Sequence, residues 1–280
     1  MGEPGRQRVP GPRREDAAAP TRPNGEARRP RYAFFDVDGT LIRTKSMFGF
    51  QEHYYLESTP GPEALGKLRY RLFARRLEGY AARGMDREFI NHRYYESYRN
   101  RKPERVRQYA ESWFTRLKAA TATLYVEPVL ETLYRHWEVG VEPVLVSGSS
   151  VEILAPLARD LGVEHVLATR LAIRRGRFTG EILPPQMIGD GKRQALSRFL
   201  KRSGACAREC FAYGDHVSDL PMLEAVGNPR AVGEALGGDP GLEIAATERG
   251  WPVIGARNLP PRAAQTQVAN NADTKERNLG

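Results

Sequence analysis

The chain reads as an α/β protein: a parallel sheet with helices on both faces, interrupted early by a long helical insertion. Three observations predict this. Three apolar runs, Tyr32-Ala33-Phe34-Phe35, Val141-Glu142-Pro143-Val144-Leu145-Val146 and Cys210-Phe211-Ala212-Tyr213, have the length and composition of buried strands. Each ends in a polar cluster: Asp36-Val37-Asp38-Gly39-Thr40, Ser147-Gly148, and Gly214-Asp215 with Asp219 four residues on. From position 128 onward, strand-like and helix-like segments alternate, the pattern of a sheet joined by crossover helices.

The elements follow in order. Residues 1–30 are rich in Pro, Gly and Arg without apolar periodicity, and are expected to be a disordered tail. Residues 31–46 form the first part of a core domain, 47–125 a helical insertion, and 126–255 the second part of the core. A polar, aperiodic tail covers 256–280. Within the insertion, helices are predicted over 62–83, 86–98 and 103–120. Phe73, Leu77 and Tyr80 form one apolar stripe; Val106, Tyr109, Ala110 and Trp113 form another. Pro62 and Pro103 suit first-turn positions, and Gly84 a helix stop. Beyond it come a helix over 129–137, a strand over 141–146 and a helix over 151–161, in which Pro156 predicts a kink or a delayed start. A strand over 166–169 and a β-hairpin over 171–182, turning at Arg175-Gly176, are followed by a helix over 192–202. A strand over 210–213, a helix over 220–226 and short strands at Ala231-Val232 and Val253-Ile254 close the pattern.

Of the 280 residues, 40% are apolar and 9% aromatic, enough for a packed core. The one candidate for the apolar part of a signal peptide, Ala17-Ala18-Ala19, is too short for secretion. No run approaches the roughly 18 apolar residues of a membrane span. The reading is a soluble, cytoplasmic protein with no membrane partner. Two cysteines, Cys206 and Cys210, are too few for a zinc site or a disulfide framework. Net charge is +9, and only seven of the 43 basic residues are lysines. Residues 43–125 hold 17 Lys and Arg against 9 Asp and Glu. That excess permits a nucleic-acid partner, but no binding motif accompanies it and charged helix faces are usually solvated, so nucleic acid is disfavoured. The insertion is also rich in tyrosine. Aromatic faces can bind quaternary ammonium groups, although helical-bundle core is the preferred reading.

The polar clusters carry chemistry. Residues two apart on a strand point to the same side, so Asp36 and Asp38 leave the first strand aimed at one small volume. Two carboxylates that close favour a bound cation or a raised pKa on one of them. Gly39 permits a tight turn with close backbone approach. In open α/β sheets, ligands bind beyond the carboxyl ends of the strands, where all three clusters fall. Lys192 lies between the second and third clusters, at a predicted helix start.

These four segments, in this order and spacing, resemble the signature of the haloacid-dehalogenase superfamily of phosphoryl-transfer enzymes. The resemblance spans roughly 31–254. It is nearest to subfamily IB, the phosphoserine-phosphatase-like branch, on three features: a helical insertion where a C1-type cap enters, the Ser147-Gly148 motif, and Gly176-Arg177-Phe178-Thr179-Gly180 ahead of Lys192. Gly250-Trp251-Pro252-Val253-Ile254 is similar to bacterial members of that branch. The resemblance implies a Rossmann-like core with a C1-type cap, and Mg2+-dependent hydrolysis of phosphomonoesters through an aspartyl-phosphate. It makes Asp36 the nucleophile, Asp38 the general acid and base, and Lys192 the balancing cation. Ser147 and Gly148 would hold phosphoryl oxygens, with Thr40 of the first motif also in the substrate-binding set. Asp36, the Asp38 carbonyl and Asp215 would hold Mg2+, with Asp219 supporting the metal or orienting Lys192. Phosphotransfer or mutase chemistry through the same intermediate is the nearest alternative; a polynucleotide phosphatase is the next.

Two positions depart from the branch. Lys45 stands where phosphoserine phosphatases carry an acidic residue that pairs with the substrate ammonium. A lysine there repels an ammonium and attracts an anion, which points to a small, polar, anionic phosphorylated metabolite. His216 stands where a small residue is usual; it is either a loop histidine beside the site or a leaving-group contact.

Overall fold

The computed structural model describes residues 30–255. The two expected tails lie outside the described residues but for Pro30. Seven strands form one sheet: β1 (Tyr32–Asp36), β2 (Glu142–Ser150), β3 (His165–Arg174), β4 (Arg177–Leu183), β5 (Phe211–Gly214), β6 (Asn228–Val232) and β7 (Val253–Ile254). Their order is β4-β3-β2-β1-β5-β6-β7, parallel throughout except for the β3–β4 pair. The helices are α1 (Ser46–Ser58), α2 (Glu63–Ala81), α3 (Arg87–Glu96), α4 (Pro103–Ala120), α5 (Glu127–Glu138), α6 (Val151–Leu161), α7 (Asp190–Ser203), α8 (Leu220–Leu223) and α9 (Pro240–Glu248). The α/β reading therefore holds: a mostly parallel, Rossmann-like sheet with a helical insertion after β1.

The alternation along β1 builds both faces. Ala33 and Phe35 pack with residues of α5 and α6, whereas Tyr32 and Phe34 pack with residues of α7, α8 and α9. Fully burying a Phe side chain contributes roughly 1.5–3 kcal/mol, and Phe34 and Phe35 are both 0% exposed. The central strand is thus anchored from two sides and holds its carboxyl end in a fixed place.

The chain leaves and rejoins the core through one hinge. The Arg43 amide donates to the Leu124 carbonyl (2.9 Å) and the Val126 amide to the Leu41 carbonyl (2.9 Å). Helices α1 to α4 lie between these points.

Several elements differ from the sequence expectation. Helix α1 has no predicted counterpart, because its apolar residues point several ways: Phe50 is buried while Phe48 is 40% exposed. Helix α9 was likewise not expected. Helix α6 starts at Val151 and runs through Pro156 without a delayed start. Strand β3 is continuous, joining the expected 166–169 strand to the first arm of the hairpin. The hairpin does turn at Arg175-Gly176, both with positive φ (51° and 70°), as a two-residue hairpin turn requires. Helix α8 ends at Leu223, short of the expected 226.

Three tyrosines of the insertion are core, and Tyr54, Tyr80 and Tyr109 pack against it partly buried. Tyr94, Tyr95 and Tyr98 are buried beside Phe50, Trp113 and Phe178. The box they could offer a quaternary ammonium is already filled from within: the Arg101 guanidinium lies 3.8 Å from the Tyr54 ring centroid and 4.4 Å from that of Tyr98. Among the described residues no helix is long and apolar enough to cross a membrane.

Candidate active site

Strand register brings the three polar clusters together. Asp36 pairs with Val146 on one side of β1, and Phe35 with Tyr213 on the other. Asp36, Ser147 and Gly214-Asp215 therefore emerge at one level, at the carboxyl ends of three adjacent strands. Lys192, in the first turn of α7, reaches the same volume. Its Nζ donates to Asp36 Oδ1 (2.5 Å) and to Asp219 Oδ1 (2.6 Å), with all three side chains buried. Asp36, Asp215 and Asp219 each offer a carboxylate oxygen, and these oxygens lie within 4.8 Å of one another.

Two glycines make this approach possible. Gly39 has φ +104°, and a Cβ there would sit 2.2 Å from Asp215 Oδ2. A Cβ on Gly214 would sit 2.7 Å from the Cβ of Asp219. Each packs a carboxylate against bare backbone, where any side chain would push it away.

The electrostatics follow from burial. Asp38 is pushed up to about 7, chiefly by desolvation and in part by the Asp36 charge, against the pull of a hydrogen bond from Ser46. Asp36, Asp215 and Asp219 are likewise raised by burial before any other cause. Burial alone would lower Lys192, but the charges of Asp219 and Asp36 outweigh it and hold the ammonium above its ordinary range. Asp38 Oδ1 is buried with no hydrogen-bond partner among the described residues. Four carboxyl groups thus crowd one pocket against the buried Lys192 and the exposed Lys45. An all-oxygen donor set with surplus negative charge suits a hard divalent cation.

The remaining expected residues are placed as follows. Ser147 Oγ accepts from the Ser149 amide (3.0 Å), and the Gly148 carbonyl accepts from Tyr95 (2.8 Å) and from Thr169 Oγ1 (2.7 Å). Thr40, expected in the substrate-binding set, is 0% exposed and donates through Oγ1 to Asp215 Oδ1 (3.0 Å). It orients a carboxylate rather than facing an open volume. Lys45 does not stand free to meet a leaving group. Its Nζ donates to the Asp38 carbonyl (2.8 Å) and lies 3.9 Å from Asp215 Oδ2, on two of the expected metal ligands. Asp219 bonds Lys192 directly, as one of its two expected roles required.

His216 is held by its own loop. The Ser218 amide donates to Nδ1 (3.0 Å), Arg87 of α3 lies 2.9 Å from the same nitrogen, and Nε2 lies 3.2 Å from Asp239 Oδ2. The Ser218 amide can only donate, so Nδ1 accepts and a neutral ring carries its proton on Nε2, which lies near Asp239 and 3.2 Å from Arg87. Burial, then the Arg87 charge, hold its pKa below the usual value. The ring links the insertion to the core.

Sequence reasoning missed Ser46, Ser149, Tyr95 and Asp239. Ser46 and Ser149 share a short hydroxyl contact beneath the site. The Asp239 amide donates to the Asp215 carbonyl (2.6 Å). Asp86, as N-cap of α3, starts the helix that carries Arg87 and Tyr95 over the core.

Comparisons with known proteins bear on the family and the fold. The profile of the haloacid dehalogenase-like hydrolase family matches residues 33–224. A protein of Mycobacterium tuberculosis named as a probable phosphatase is 34% identical over 236 residues, covering 84% of this chain and 79% of its own. A phosphoserine phosphatase of the same organism is 27% identical over 258 residues, covering 85% of this chain and 76% of its own. A crystal structure of a protein of unknown function from Bordetella pertussis superposes with a TM-score of 0.69 at 27% identity, covering 81% of this chain and 99% of that one.

Proposed function

The chain belongs to the haloacid dehalogenase-like hydrolase family, as a phosphatase of the phosphoserine-phosphatase-like kind, and from that premise we propose a Mg2+-dependent phosphomonoester hydrolase working through an aspartyl-phosphate on Asp36. The observation that carries this reading is the buried Asp36–Lys192–Asp219 chain beside Asp215, at the carboxyl ends of β1, β2 and β5. Asp36, Asp215 and the Asp38 carbonyl would hold the cation, and Asp219 positions Lys192. When bound, the cation neutralises surplus carboxylate charge and the charge of the phosphoryl group.

Asp36 attacks phosphorus through the carboxylate oxygen not held by Lys192. The P–O bond to the leaving group breaks as the O–P bond to Asp36 forms. Lys192 fixes the nucleophile's rotamer and offsets its charge, so little reorganisation is needed at reaction. Burial raises Asp38 to about 7, so near neutrality a substantial fraction of the molecules carries its proton and the rest can act as base. Asp38 gives that proton to the departing alkoxide. It then removes a proton from the water that cleaves the acyl phosphate, which restores Asp36. Dividing one difficult displacement into two easier ones is the gain from a covalent route. Ser147 and the Gly148 backbone receive phosphoryl oxygens.

Residues 47–125 act as the cap over this site, hinged at Leu41–Arg43 and Leu124–Val126, with Tyr95 and Arg87 among its contacts to the core. The substrate class is a small phosphorylated metabolite. Lys45, though engaged by the Asp38 carbonyl, and Arg87 add positive charge near the site, which disfavours a leaving group that carries an ammonium. Turnover of phosphorylated metabolites with Mg2+, abolished by chelator and by Asp36→Asn in a protein that still folds, tests the reading. Asp36→Asn within tenfold of wild type would overturn it.

A further inference from the structure

Helix α2 buries little of its length: of its 19 residues only Gly66 and Leu77 are buried. Its outward face is not polar. Leu65, Leu68 and Leu72 are 43%, 51% and 59% exposed. They stand at i, i+3 and i+7, so they form one stripe along the helix. Other exposed large apolar side chains of the described residues, such as Val139, Ile173 and Ile244, lie on separate elements. At 3.6 residues per turn, Arg71 and Arg75 flank the stripe on one side, Arg69 and Arg76 on the other; all four are exposed. Residues 63–83 contain six Lys and Arg against Glu63 and Glu78.

We propose that this face of α2 docks on an anionic lipid surface. A row of leucines bordered on both sides by arginines has the layout of a helix lying in a membrane interface, with the apolar row at the acyl boundary and guanidinium groups on lipid phosphates. The cationic borders oppose a second copy of the same face, since two such helices would repel. A protein partner would need an apolar groove lined with acid to receive this single convex helix, whereas a lipid surface deforms to fit it. The sequence expectation of no membrane partner rested on spanning segments, and this mode of association needs none. None of the three leucines lies among the residues of the candidate active site, so the proposal stands apart from the catalytic reading.

The test is co-sedimentation of the full chain with vesicles of phosphatidylglycerol and phosphatidylcholine in equal parts, compared with phosphatidylcholine alone. Wild type should pellet with the anionic vesicles, stay in solution with the neutral ones, and be released by high salt. Leu68→Gln/Leu72→Gln keeps every charge of the protein, including those of residues 1–29, and glutamine is a good helix former. It should weaken vesicle binding roughly tenfold or more, with unchanged circular dichroism and melting temperature. Arg71→Gln/Arg75→Gln should weaken it as well. Equal pelleting of wild type and the leucine variant would overturn the proposal, as would failure of wild type to bind anionic vesicles. A wild-type dimer in light scattering that the leucine variant turns into a monomer would assign the stripe to a protein contact instead.

Discussion

Replacing Gly39 by alanine disturbs the site at its tightest point. The residue has φ +104°, and an added Cβ would stand 2.2 Å from Asp215 Oδ2. Ordinary contact begins at 3.4 Å, so one of the two must move by about 1.2 Å. Asp215 is held by Thr40 through its side chain and by the Asp239 amide through its backbone, so displacement breaks bonds on both sides. An L side chain in left-handed backbone costs about 1–2 kcal/mol, which for a domain of this size lowers the melting temperature by roughly 2–8 °C. A misplacement of about 1 Å in a catalytic constellation costs on the order of 10²-fold in rate. Steady-state hydrolysis of p-nitrophenyl phosphate, with Mg2+ varied, measures both turnover and metal requirement. Gly39→Ala should lose about a hundredfold in kcat and need more Mg2+ for half-maximal rate. Turnover within twofold of wild type at unchanged Mg2+ requirement would mean that the Gly39–Asp215 approach plays no part in catalysis.

Removing the buried cation by Lys192→Met should cost on the order of 10²–10³ in kcat, read in the same assay; a loss under fivefold would exclude Lys192 from the chemistry. Lys45→Met frees the Asp38 carbonyl and should lower the Mg2+ needed for half-maximal turnover by roughly fivefold, the worth of about 1 kcal/mol for an exposed charge contact; a higher requirement would count against competition at that oxygen. His136 is buried, hydrogen-bonded to Tyr213 (2.6 Å), and pushed down to about 4 by burial. The unfolded chain, whose histidine titrates near 6.5, binds the extra proton first. This contribution is therefore complete above pH 6.5 and lost as pH falls toward 4, up to about 3 kcal/mol. Urea midpoints at pH 7.5 and 5 should diverge in wild type and converge in His136→Phe, and an equal gap in both proteins would refute the assignment.

The sheet was legible because its strands are continuous apolar runs bounded by motif residues. Phe34 and Phe35 face opposite layers, so the apolar run of β1 is unbroken until Asp36 at its end. Strand β2 extends past the expected end, since Ser147 and Ser150 still pair with β3 across an irregularity; a polar motif concealed that continuation. Helix α1 was not legible because the insertion wraps it, placing Phe50 inward and Phe48 partly outward. The charged part of the site could be read from motif order, but its supports could not. Tyr95 meets Gly148 across 53 residues, and Ser46 meets Ser149 across 103. Such contacts depend on how the insertion folds back, and no local pattern announces them. Thr40 and Lys45 show the same limit: both lie at the site, and only the three-dimensional arrangement turns them toward Asp215 and the Asp38 carbonyl.

The central claim is that Asp36 becomes phosphorylated. Asp38→Asn should slow cleavage of the intermediate more than its formation, so acid quenching during turnover of a phosphorylated metabolite or p-nitrophenyl phosphate should leave phosphoprotein. Peptide mass spectrometry should place that phosphate on Asp36, hydroxylamine should release it, and Asp36→Asn should abolish it. A phosphate found on another residue, or hydrolysis proceeding at full rate in Asp36→Asn, would contradict the account.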